Sequence, residues 1–79
     1  MGTIKQDEKR IKIYRGIKKD LDALVGALKK EKKDFGDHQT KSFNKRRDDA
    51  IDRNKQLSDE MQKVIETIQT RIELDATGS

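Results

Sequence analysis

Asp34-Phe35-Gly36-Asp37-His38-Gln39 divides the 79-residue chain into two periodic halves, and its reading as a turn decides the fold. Gly36 fits the left-handed residue that commonly closes a helix. The basic residues Lys29, Lys30, Lys32 and Lys33 just before it suit a helix C-terminus, where unpaired carbonyls favour cations. Beyond the turn, Asp37, Thr40 or Ser42 can cap a second helix by offering a side-chain oxygen to its first free N–H groups. A connection this short makes the flanking helices antiparallel neighbours.

On the N-terminal side a helix is expected over about residues 6–33. Its spine is Tyr14, Ile17, Leu21, Leu24 and Leu28, spaced by three and four in a heptad rhythm. Ile4, Ile11 and Val25 lie beside that spine and widen the apolar stripe, which suits a bundle better than a bare two-stranded seam. Gly16 and Gly26 fall near the outer face and each costs a helix ~1 kcal/mol relative to alanine. They read either as neutral occupants of a solvated face or as places where another backbone comes close.

On the C-terminal side a helix is expected over about residues 40–74, with residues 75–79 as a flexible tail. Its spine is Phe43, Ala50, Leu57, Met61, Val64 and Ile68, ending at Arg71, and it is flanked by Ile51, Ile65 and Ile72. Arg47 and Asn54 occupy polar slots in that pattern. They read equally as register-setting polar residues of a coiled coil or as solvated ends of the stripe. Ser58-Asp59-Glu60 also resembles a helix start, which would give three helices. The uninterrupted helix is preferred because the heptad spacing runs through Ser58 without a slip.

Charge supports the hairpin independently. Residues 1–28 carry a net +3, residues 29–47 a net +5 and residues 48–79 a net −4. A basic first helix lying on an acidic second one favours antiparallel pairing. The fold class is therefore all-α, an antiparallel two-helix hairpin that resembles a coiled coil. Two helices cover only one stripe of each other, so these wide stripes leave apolar surface on both sides. Completion of a four-helix bundle, by a second copy or by another helical protein, is expected. The interface residues are then Ile11, Tyr14, Ile17, Leu21, Leu24, Leu28, Ile51, Leu57, Met61, Val64, Ile65, Ile68 and Ile72.

Composition narrows the function classes. With 30 % hydrophobic and 43 % charged residues the chain leans toward disorder, but its apolar residues are periodic rather than scattered, so helix is the better reading. The absence of cysteine removes a disulfide framework and any thiolate metal site. No run approaches the ~20 apolar residues that span a membrane. The Met1–Gln6 opening has no signal-peptide core and no serine or threonine at the myristoylation position. A cytoplasmic protein is expected, with export by a signal-peptide-independent route as the variant. Catalysis is not expected. His38 is the single histidine and sits in the turn, the adjacent pairs Asp48-Asp49 and Asp59-Glu60 diverge on a helix, and no phosphate loop or zinc motif is present. No cofactor or metal is expected.

One local concentration remains. Lys29, Lys30, Lys32, Lys33, Lys41, Lys45, Arg46 and Arg47 gather at the tip, with Phe35 and Phe43 among them. Basic residues interleaved with aromatics can bind nucleic acid through phosphates and stacking. A solvated turn closed by the two phenylalanines is the favoured reading. RNA binding by a homodimeric hairpin of the Rop type is the alternative, on fold analogy alone.

In organisation the chain resembles the small helical hairpins of type VII secretion: the Trp-x-Gly family and the small partners encoded beside LXG-type toxins. Like them it is short and cysteine-free, opens Met1-Gly2-Thr3-Ile4-Lys5, and has one central turn between two long helices. Asp34-Phe35-Gly36-Asp37 stands where that family carries Trp-x-Gly, and Phe43 is followed at four residues by Arg47 rather than by the aspartate of the export motif. The resemblance implies a targeting factor or chaperone that pairs with the helical N-terminal domain of a larger toxin.

Overall fold

The computed structural model describes residues 3–77, and the side chains of 4–76. The readings placed on Met1, Gly2, Gly78 and Ser79 lie outside the described residues. Helix α1 runs Thr3–Phe35 and helix α2 runs Lys41–Thr77, joined by one 3-10 turn, Gly36–His38. The helices are longer than the sequence suggested: α1 begins three residues earlier and ends two later, and residues 75–77 continue α2 rather than fraying into a tail. α2 passes unbroken through Ser58, so there is no third long helix among the described residues. The hairpin forms a rod of 60 × 14 × 13 Å.

The turn differs from expectation in its chemistry. Gly36 is not left-handed; no described glycine has a positive φ. Instead α1 tightens directly into the 3-10 turn, which uses shorter-range bonds for carbonyls that a helix end leaves unpaired. The Asn44 amide adds a donor, reaching back to the Gly36 carbonyl at 3.1 Å. Of the three capping candidates Thr40 takes the role, its Oγ1 accepting the Phe43 N–H at 3.2 Å.

Cross-helix bonds set the register: Asp7 with Arg71, Asp22 with Ser58, Glu31 with Arg47 and Lys32 with Asp48. In that register the seam on α1 is the heptad row 4, 7, 11, 14, 18, 21, 25 and 28. On α2 it is the row 47, 51, 54, 58, 61, 65, 68 and 72. The buried apolar residues, Ile11, Val25, Ile51 and Ile65, all lie on those rows. So do the buried polar ones, Asp7, Arg47 and Ser58. The seam is thus rotated from the expected spines. Ile17, Leu24 and Leu57, placed centrally by the sequence, are pushed to its edge and remain 41 %, 46 % and 49 % exposed.

Candidate interaction surface

Polar residues hold the seam where the apolar ones run out. Near the open end the Asp7 carboxylate, with no exposed side-chain surface, accepts Arg71 Nη2–H and Nε–H at 2.8 and 3.0 Å. Midway, Lys18 Nζ donates to Ser58 Oγ at 3.0 Å, and Ser58 donates to Asp22 Oδ1 at 2.6 Å. The Ser58 hydroxyl, followed by Lys18, holds the Asp22 carboxyl below the ordinary aspartate range. Near the tip, Arg47 donates to Glu31 at 3.2 Å and to Asp48 at 3.4 Å. Asp48 is likewise held low, first by the Lys32 ammonium at 3.2 Å.

These bonds remove one residue from the basic tip as the sequence drew it. The Arg47 side chain is 4 % exposed and packed into the seam, so it does not face an external anion. Lys32 is exposed but paired with Asp48. Lys29, Lys30, Lys33, Lys41, Lys45 and Arg46 stand exposed, with Phe35 and Phe43 about half exposed beside them. His38 is exposed in the turn. Asn54 donates its amide to Ala50 O of its own helix at 2.7 Å, so that bond ties it locally rather than across the seam.

The residues expected to grip a partner divide into two sets. Ile11, Tyr14, Leu21, Leu28, Ile51, Met61, Ile65, Ile68 and Ile72 line the seam and are spent inside the hairpin, buried or half-buried. Ile17, Leu24, Leu57 and Val64 sit one position before a seam residue, on a single flank. In an antiparallel pair the residues at that position of both helices fall on the same side, so Ile17 lies level with Val64 and Leu24 with Leu57. The half-buried Ala50 continues the row. The opposite flank reads Glu8, Arg15, Asp22 and Lys29 on α1 against Asp48, Lys55, Gln62 and Gln69 on α2. There Lys55 lowers the Lys29 pKa, first by hydrogen bonding and then by like-charge repulsion. Apolar surface is therefore left on one side of the hairpin, not on both. The polar residues opposite need no cover.

The exposed area agrees. The accessible surface is 6418 Å², whereas a compact monomer of 9.1 kDa exposes about 4900 Å². The excess reflects the elongated 60 × 14 × 13 Å rod and exceeds the ~800 Å² that one partner contributes to a standard interface. No described helix is long and apolar enough to cross a membrane. Comparison with protein-family models, with curated proteins and with solved structures gives no match.

Proposed function

We propose that the chain is a non-catalytic interaction protein that docks another helical surface along the flank of Ile17, Leu24, Leu57 and Val64. The observation that carries this reading is that Ile17, Leu24, Leu57 and Val64 share one flank of the hairpin, while the opposite flank is polar. Fully burying an exposed leucine or isoleucine contributes ~1.5–3 kcal/mol, and Ile17, Leu24 and Leu57, already at least half buried, can each add roughly half of that. The organisational resemblance to type VII secretion partners extends the reading to a targeting factor or chaperone for the helical domain of a secreted toxin. The test is the pair Leu24→Asp and Leu57→Asp. Circular dichroism should retain the helical signal because both side chains lie off the seam, and association with the docked helical surface should be lost. Undiminished association would reject the flank. Ile68 is unsuited to this test, because it lies in the seam and its loss would open the hairpin.

A second reading rests on the six exposed basic residues and two half-exposed phenylalanines around the tip. It makes the tip a contact for a nucleic-acid backbone. Lys45→Glu with Arg46→Glu should then abolish salt-sensitive RNA binding and leave flank docking intact.

A further inference from the structure

The flank carries a charge pattern as well as an apolar row. On α1 its row reads Arg10, Ile17, Leu24, Glu31, and on α2 it reads Ala50, Leu57, Val64, Arg71. The α1 row is cationic at one end, apolar in the middle and anionic at the other. Laid antiparallel on itself it is self-complementary.

Two identical flanks can meet about a two-fold axis in two ways. With both tips at the same end, α1 lies on the partner's α2. Arg10 then faces the partner's Arg71, and two segments of net charge +5 come together. With the tips at opposite ends, α1 lies antiparallel on the partner's α1. Arg10 then faces the partner's Glu31, and Ile17 faces the partner's Leu24. On α2 the same operation sets Leu57 against the partner's Val64. Each half of the interface becomes a layer of Ile17 and Val64 from one copy with Leu24 and Leu57 from the other. The outline of the 60 Å by 14 Å face is about 840 Å², an upper bound on flat contact and of the same scale as the ~800 Å² per partner of a standard stable interface. Asp20 and Glu60 approach their own counterparts near the axis, but both are exposed at the rim, where charge pairs contribute little. Glu31 already accepts Arg47 through Oε2, and a carboxylate has acceptor capacity for a second cation.

We propose that the occupant of the flank is a second copy of this chain, the two hairpins packed face to face with their basic tips at opposite ends of a four-helix bundle. This rests on the docking reading above and deepens it by naming the partner and its orientation.

The test uses the full chain, whose lack of cysteine allows a single label. Light scattering should give twice the 9.1 kDa chain mass. A spin label at His38→Cys, in the exposed turn, should report a tip-to-tip distance near the 60 Å length of the rod. Leu24→Asp with Leu57→Asp should weaken self-association by roughly a hundredfold, as loss of central apolar anchors does, with helicity retained. A dimer whose labels lie within about one bundle width overturns the orientation. A chain that stays monomeric and poorly helical overturns self-pairing but leaves the docking reading standing with a different helical partner. A stable, fully helical monomer overturns both.

Discussion

Asp7 and Arg71, sixty-four residues apart, close the open end of the hairpin through two hydrogen bonds to a carboxylate that has no exposed side-chain surface. Arg71 itself is half exposed, so its removal would admit water to Asp7 rather than strand a charge in a dry interior. Arg71→Ala is therefore expected to cost about 2 kcal/mol, less than the ~3–5 of a fully buried pair, because Arg10 Nη1 also lies 3.8 Å from the same carboxylate. Urea unfolding should show the midpoint fall, and replacing both residues by Leu and Met should recover most of it.

Ile65, between the Ser58 cluster and the open end, is 2 % exposed, the lowest among the buried apolar residues of the seam. Ile65→Ala should cost about 2–4 kcal/mol, a large part of the stability of so thin a core. Leu57→Ala, eight residues earlier on the flank row and half exposed, should change hairpin stability far less. Equal losses at the two sites, measured under conditions where the chain does not associate, would contradict the division between seam and flank.

Much of the fold was legible in the sequence. The place of the turn, the antiparallel pairing and the heptad rhythm follow from local chemistry, and Thr40 was one of three cap candidates, whereas the left-handed Gly36 did not appear. The rotation of the seam was not legible. The seam rows carry Asp7, Lys18, Arg47, Asn54 and Ser58, and periodicity reads such residues as a surface. They are tolerated there because Asp7 meets Arg71, Arg47 meets Glu31, and Lys18 meets Ser58. Those partnerships join residues far apart in the chain, so no window of local sequence reveals them. The apolar flank residues Ile17, Leu24, Leu57 and Val64 read as central because no charged residue stands among them. The charge runs were visible at the tip, but the burial of Arg47 depended on the same hidden pairing.

Gly16 and Gly26 stand on the outer face, and a Cβ added at either meets nothing within 4 Å. Gly16→Ala and Gly26→Ala should each stabilise the chain by ~0.5–1 kcal/mol, through helix propensity and a less flexible unfolded state. Thermal unfolding of the double variant checks this. A loss of association in that variant would assign the glycines to a close backbone approach instead.

Acid should weaken the hairpin. Asp22 and Asp48 have lowered pKa values in the folded chain, below the ~3.9 of an unfolded aspartate. The unfolded state therefore binds more protons between those values, and stability increases with pH across that window. The contribution is complete above about pH 4–5 and is lost as pH falls through the folded values. Ser58→Ala and Lys32→Ala should each flatten that acid limb in pH-dependent urea titrations, since each removes the leading cause of one shift.

Lys29 gives the opposite kind of site. Its folded pKa is lowered by Lys55, so the charged pair is unfavourable at neutral pH. Stability from this pair should rise as pH increases toward the lysine range. Lys55→Glu should raise the unfolding temperature at pH 7 and abolish that alkaline gain, which differential scanning calorimetry at two pH values can read.

The hairpin also separates the molecule into two poles. Both outer helix ends, Thr3 and Thr77, lie at the pole of the Asp7–Arg71 closure, while His38 stands at the far pole of a 60 Å rod. A reporter or affinity domain fused to either end would hang from one pole and leave the cationic pole unencumbered. In the antiparallel face-to-face pair such cargo would instead flank each tip, so the position of a fused mass in a low-resolution envelope is itself a compass for the assembly.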